Sequence, residues 1–364
     1  MAITLRPATA QDVPELGRIL YTAFQTLADH HNFPRNFPSI EVASSILSML
    51  TANPGFYGVA AEEDGRLAGS NFIDLRSPIA GIGPISVDPN AQNKGTGRRL
   101  MQAVMDEAVT RNVAGIRFVQ AAYHNRSLSL YTKLGFATRE PLSLLQGNTP
   151  GERFAGYEVA DATPKDAEAC NRLCHSVHGF ERAGEVQEAI EAGRARLVKH
   201  QGRITGYATD IGFFAHAVAE TNRDLIALIA PAPEYSGPGF LLPTRNHEVF
   251  SWCLDRGLRL VMQMTLMTIG VYNEPRAPIC RLFCIKRENV PPRLASQGGA
   301  SLVSSITLNA ATGLLRPFSS RFPRSSSVAT ASTASAMRLL TRICPSLASA
   351  QSRAARLHTV PIAV

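Results

Sequence analysis

The sequence predicts an α/β protein made of two tandem copies of one fold, followed by a low-complexity tail. Three observations carry this. Strand and helix patterns alternate along the first 148 residues. Part of that stretch recurs further on: "PATAQDVPELGRIL" (7–20) matches "DATPKDAEACNRLC" (161–174), with Ala8, Thr9, Asp12 and Arg18 repeated as Ala162, Thr163, Asp166 and Arg172 at one offset. Third, residues 291–364 hold eight arginines, no lysine and no acidic residue, and show no sustained period. The expected domains are 1–148, 149–290 and the tail 291–364.

The elements of the first copy follow in order. "AITLRPATAQDVPELGRIL" reads as an opening strand and then a helix, with Thr9 as its N-cap. "FYGVAAEEDGRLAGSNFIDL" reads as two strands joined by an Asp-Gly turn. "AGIGPISV" is the next strand. After it comes "VDPNAQNKGTGRRLM" (87–101), which leads into a helix with Leu100, Met101, Val104, Met105 and Ala108 on one face. "AGIRFVQAAY" is the strand after that helix.

The glycines of 87–101 sit where the helix begins. The first amides of a helix lack intrahelical acceptors and carry the positive end of its dipole. Gly95 and Gly97 let backbone approach a ligand without a Cβ in the way. Such a turn can wrap a pyrophosphate, and Lys94, Arg98 and Arg99 can add charge for an outer phosphate. The spacing is wrong for a P-loop, and the third glycine of a dinucleotide fingerprint is missing. An ordinary glycine turn is the other reading of these residues alone.

The flanking residues bear on that choice. Gln92-x-x-Gly95-x-Gly97, preceded by Val87-Asp88-Pro89, resembles motif A of the GCN5-related N-acetyltransferases. "HNRSLSLYTKLGF" (124–136) resembles their motif B. The resemblance covers roughly residues 3–145, and the element order is the family's. It implies, in each copy, a mixed, mostly antiparallel sheet flanked by helices. It further implies that acetyl-coenzyme A is the cosubstrate, held by Ile85, Ser86, Val87, Gln92, Asn93, Lys94, Gly95, Thr96, Gly97, Arg98, Asn125, Ser129 and Tyr131. Tyr131 is implied as the proton donor to the leaving thiolate, and a backbone amide near Val87 as the group that polarises the thioester. The strand before the turn has no glutamate to serve as base, which leaves Asp74 and His124, or a water chain. The expected activity is acetyl transfer to the amine of a small molecule or peptide. The competing class is a non-catalytic acetyl-coenzyme A sensor.

The second copy shows "GRITGY" (202–207) where the first has "GRLAGS" (65–70), again in a hairpin context. "DLIALIAPAP" (224–233) reads as its next strand, followed by a loop, "SGPG" (236–239), a helix and a strand. That loop lacks the Gln-x-x-Gly-x-Gly pattern, and Pro238 removes an amide where donors are wanted. Residues 243–270 resemble the C-terminal half of tandem bacterial family members. A degenerate copy that binds no coenzyme is expected, acting as a lid or recognition module or as a structural cover for an edge of the first domain.

Composition narrows the classes further. The net charge of +8 comes entirely from the tail, and residues 1–290 balance at zero, so no nucleic-acid stripe is expected. No apolar run approaches the ~20 residues of a membrane span. No basic-then-apolar leader opens the chain, and a cytoplasmic location is expected. The six cysteines are scattered and form no zinc pattern, so no metal is expected. Oligomeric state is not legible. A last reading concerns the tail. Back-translated from the third base of the Arg276 codon, the chain permits Gly-Ala-Tyr-Leu-Pro-Ser-Val-Leu-Tyr-stop, similar to the closing strand of tandem relatives. A frame change near Arg276 is therefore weighed against a genuine disordered basic tail.

Overall fold

The computed structural model describes residues 3–275 together with 277, 279 and 280. The tail and the frame change read near Arg276 lie outside them. The described residues form one compact unit by themselves.

The first half begins with β1 (Ile3–Pro7). Thr9 and Asp12 then close a reciprocal capping box over one 3-10 turn, which runs into α1 (Val13–His30). Ser39 caps α2 (Ile40–Ala52) by accepting from the Val42 amide. β2 (Phe56–Glu63) and β3 (Arg66–Asp74) pair as a hairpin. Its two turn residues, Asp64 and Gly65, both have positive φ, as a type I′ turn requires. The single strand expected over "AGIGPISV" is two short pieces, β4 (Ile79–Ile82) and β5 (Ser86–Val87). Then come α3 (Thr96–Thr110), β6 (Gly115–Ala121), α4 (Asn125–Lys133) and β7 (Ala137–Gln146).

The second half repeats the plan. β8 (Tyr157–Asp161) leads to a second capping box, Thr163 with Asp166, over another 3-10 turn. α5 (Ala167–His178), α6 (Ala183–Glu191), β9 (Arg196–His200) and β10 (Arg203–Ala208) follow. The β9–β10 turn, Gln201-Gly202, has the same positive φ pair as Asp64-Gly65. Both hairpins also carry a register shift just beyond the turn, at Ala61/Glu62 and at Ile204/Gly206. The repeat read in the sequence is thus a repeat of caps, turns and bulges.

Next are β11 (Ala217–Ala219), α7 (Asn222–Ile229), β12 (Phe240–Pro243), α8 (His247–Asp255), β13 (Arg259–Gly270) and β14 (Ile279–Cys280). One reading is corrected here: the "DLIALI" of "DLIALIAPAP" belongs to a helix, not a strand. Thr221 caps it, with Asp224 at the third helical position completing the box. Every residue from Asp224 to Ile229 is buried, so the apolar run has no alternation to reveal its period. The strands of the second half therefore fall one element later than expected, and α8 corresponds to α4 rather than α3.

The halves do not stack as separate domains. One sheet runs β1-β2-β3-β4-β6-β13-β7-β12, with β5 paired to β3. In its last four strands each half alternates with the other. β13 lies antiparallel between β6 and β7, and β7 lies antiparallel between β13 and β12. By element order β12 is the counterpart of β6, and β13 of β7. Exchanging the halves leaves the sequence β6-β13-β7-β12 unchanged in form. The remaining strands of the second half make a separate sheet, β14-β11-β10-β9-β8. The boundary placed at 148 divides the chain but not this sheet.

Candidate active site

β4 and β6 are parallel neighbours only over Ile79–Gly81 and Gly115–Arg117. Beyond Gly81 they part. Ser86 and Val87 pair with β3 alone, while β6 continues along β13. A wedge opens between two strands of one sheet. α3 starts at its β5 side, and α4 starts where β6 ends.

The turn into α3 spans Asp88–Gly95. Asp88 accepts from the Asn90 amide and starts a 3-10 turn, Pro89–Ala91. Buried Thr96 donates its hydroxyl to Ala91 O, 3.3 Å, which folds the loop back on the helix. Gly95 caps α3 at φ +90, with no side-chain cap and no acidic residue in the first turn. Arg99 donates to Gly95 O. The amides of Gly95–Arg98 thus have no intrahelical acceptor. A Cβ on Gly95 would meet nothing within 4 Å, so space stands over the amides. One on Gly97 would lie 3.8 Å from Val87 and Leu130 side chains. The residues present fit a pyrophosphate: bare donors, an uncompensated dipole and exposed Arg98 and Arg99.

Not every residue expected here turns toward that space. Lys94 gives its ammonium to both oxygens of Glu63, at 2.8 and 2.9 Å, so its charge is already compensated. Thr96 is structural through its side chain. Ile85, just before β5, and Val87 join the cluster formed with α3 and α4, so Ser86 between them points to the other face. Gln92 donates to Val87 O and tightens the turn. Asn93 is exposed at φ 68, and Asn125 and Ser129 are exposed one turn apart on α4.

Tyr131 lies in the same cluster as Ile85 and Val87, edge-on to Phe118 at 4.6 Å. Burial alone pushes its phenol up to about 12, so the hydroxyl stays protonated at neutral pH. The two base candidates part company. Asp74 takes the Arg76 guanidinium at 2.9 and 2.7 Å, as a closed ion pair. It is also five residues along β3 from Gly69, the partner of Val87, about 17 Å at the usual rise. His124 is half-buried at the start of α4. Desolvation, then the charges of Arg126 and His31, hold its imidazole below the usual histidine range. It is a neutral proton acceptor at physiological pH.

Two residues escaped the sequence reading. Gln120 is buried on β6 and donates to His124 O at 2.9 Å and to Ser127 at 3.0 Å, fixing the first turn of α4. Arg126 donates to Gln92 Oε1 at 3.4 Å and bridges α4 to the turn. Arg126 stands next to Asn125 in the motif, which is the signal that marks it. Gln120 had none, since a polar residue on a strand gives no hint of its partner.

Among its described residues the second half has no such turn. Only Glu220 and Thr221 join β11 to α7. Thr221 and Asp224 satisfy the first amides, and Thr205 donates to Asp224 at 2.5 Å. The segment 235–239 expected as the degenerate loop serves another purpose. Gly239, at φ +114, sits where a Cβ would come within 2.1 Å of Leu145 O. It lets β12 close on β7.

Comparison with known proteins agrees with this geometry. Residues 17–136 match the model of the acetyltransferase (GNAT) family. IAA acetyltransferase of Azospirillum brasilense is 26% identical over 140 residues, which are 38% of this chain and 82% of that protein. A solved structure from Pyrococcus horikoshii, described as an acetyltransferase, aligns with a TM-score of 0.59 at 19% identity, covering 78% of this chain and 94% of that one. A GCN5-related N-acetyltransferase from Sphaerobacter thermophilus aligns with a TM-score of 0.52 at 15% identity, covering 74% and 96%. Both likenesses reach well past the first half, so the fold of both halves is shared. Residues 17–136 thus carry a domain of the GNAT acetyltransferases, a family whose cosubstrate is acetyl-coenzyme A, and the solved structures share the fold of both halves.

Proposed function

We propose that the chain is an N-acetyltransferase that moves an acetyl group from acetyl-coenzyme A to an amine, with one active site per chain, in the first half. The observation that carries this is the bare N-terminus of α3 at the mouth of the wedge, with the protonated Tyr131 phenol in the same cluster. A sensor needs the turn but has no use for a buried, protonated phenol there.

Acetyl-coenzyme A supplies an activated acetyl thioester. The amides of Gly95–Arg98 hold its pyrophosphate, with Arg98, Arg99 and Arg126 around them. Val87 and Ile85 line the wedge. A neutral amine is needed for attack, while a free alkylamine is mostly protonated at neutral pH. His124 takes the proton that the amine gives up as its C–N bond forms. Tyr131 Oη gives a proton to the thiolate as the C–S bond breaks. The phenolate and imidazolium left behind are reset by solvent.

The test is release of free thiol from acetyl-coenzyme A with a panel of amines. Tyr131→Phe keeps the ring and removes the donor. We expect turnover to fall at least 30-fold with little change in acetyl-coenzyme A affinity. Because His124 is held below pH 6.5, the acid limb of kcat/KM should lie below that pH, and it should vanish in His124→Gln. Full turnover in Tyr131→Phe would remove the phenol from the mechanism.

A further inference from the structure

We infer that the acceptor is a small free amine and not a peptide or the surface of a protein, an inference that rests on the function proposed above. The reason is what stands on the open side of the wedge.

α3 and α4 close one face of the sheet with a continuous apolar cluster. An amine must therefore reach the wedge from the opposite face. On that face α1 and α2 pack over β2 and β3. The second half's α5 and α6 pack over β6, β7 and β13, touching Val119 and Ala121. Between these two pairs of helices lies the half-buried segment Ile82–Ile85, which neither pair covers.

Both ends of this gap are bridged. At the closed end of the wedge, α6 is fastened to the first half. Glu188 accepts from Asn53 at 2.9 Å and pairs with Arg76. Ser77 donates to Glu181 O at 3.4 Å, and Glu185 lies 3.8 Å from Arg117, the last residue of β6 in register with β4. The backbones are so close that a Cβ on Gly184 would sit 3.0 Å from Arg76 Cβ. At the other end Phe33 stacks on Tyr123, ring centroids 4.1 Å apart and 9° from parallel, and both pack against the second half's core.

From Arg117 to Ala121, where the strand turns toward Tyr123, is about 13 Å. An extended chain advances about 3.3 Å per residue, so some four residues would fill that length and then meet a bridge at either end. A peptide cannot run through, and a lysine on a folded surface cannot bring its neighbours past the helices. A small molecule enters between the bridges. The lining of half-buried Phe33 and Tyr123 suits an amine with an apolar body.

The experiment uses the full chain. Thiol release is measured for a panel of small alkyl and arylalkyl amines and for peptides with a free N-terminus or an internal lysine. Acetyl-coenzyme A binding is followed in parallel by calorimetry. We expect small amines to exceed every peptide at least tenfold in kcat/KM. In Glu188→Ala, which unfastens one bridge, the peptide-to-amine ratio should rise at least threefold while acetyl-coenzyme A affinity holds. Peptides equal to or better than small amines would overturn the inference and leave acetyl transfer standing. Binding of acetyl-coenzyme A with turnover of no small amine would also overturn it. Absence of binding would remove the proposed function and this inference with it.

Discussion

The same strand-to-helix step is built twice in this chain, to opposite ends. Before α3 eight residues intervene, from Asp88 to Gly95, and the helix starts at a glycine with its first amides bare. Before α7 only Glu220 and Thr221 intervene, and the helix starts under a threonine and an aspartate that take up those amides. An aspartate in the first turn also offsets the dipole that would attract a phosphate. One fold therefore leaves these amides bare, as a phosphate site would need, or spends them on its own stability, and the two loops differ by six residues. The second half lends β13 to the sheet of the first half and fastens α6 beside the wedge.

The largest break of the comparison is to remove one side of it. A chain ending at residue 148 exposes the facing edges of β6 and β7 where β13 lay. It also loses buried Met264, Leu266 and Met267, each contributing roughly 1.5–3 kcal/mol. We expect aggregation and no cooperative melt by circular dichroism. A soluble 1–148 fragment that melts cooperatively and releases thiol would show that the halves are independent after all.

Next in size is Gly97→Asp. A Cβ there makes only ordinary contacts, so the fold should survive. The carboxylate would face the pyrophosphate across the bare amides. Acetyl-coenzyme A binding should weaken at least 100-fold by calorimetry, with the melting temperature within a few degrees of the parent. Unchanged affinity would dislodge the cosubstrate from this turn.

The comparison also shows what could be read in advance. The first-half turn was legible because its chemistry is local: glycines, a glutamine and a following helix within a few residues. The repeat was legible for the same reason, as caps and hairpin turns have short signatures such as Thr-x-x-Asp and an Asp-Gly or Gln-Gly pair. The helix at 224–229 was not, because burial on every side erases periodicity. Nor was the pairing of β13 with β6 and β7. It depends on contacts more than a hundred residues apart, for which a single sequence carries no local mark. The ion pair of Asp74 was hidden on the same ground. Arg76 is two residues away, yet its bidentate hold depends on the bend at the end of β3.

A sharper version asks whether the second turn can be turned back. Thr221→Ala removes the side-chain oxygen that accepts from the Asp224 amide and bares one end of α7. The loss of an N-cap typically costs about 1 kcal/mol. We expect a fall in stability of that order in urea unfolding, and still one acetyl-coenzyme A site per chain by titration. Asp224 remains, and the loop is still six residues short. A second site in this variant would mean that the cap alone silences the copy.

The smallest effect is expected at Lys94, and it separates two accounts of the first turn. On sequence grounds Lys94 adds positive charge for a phosphate. In the structure its ammonium bridges both oxygens of Glu63, on the strand beside the turn. A cation and an anion at that separation present little net field to a phosphate several ångströms away. Exposed pairs of this kind are also worth only ~0–1 kcal/mol to the fold. Lys94→Ala should therefore change acetyl-coenzyme A affinity less than threefold, because the lysine makes no phosphate contact to lose and solvent screens the Glu63 carboxylate it leaves behind. Glu63→Gln is the informative partner. It releases the ammonium while keeping the side chain's length, and affinity should rise severalfold at low salt and fall back as salt screens the charge. If Lys94→Ala instead costs tenfold and Glu63→Gln does nothing, the lysine leaves its carboxylate when the pyrophosphate arrives, and the turn completes its anion site only on binding.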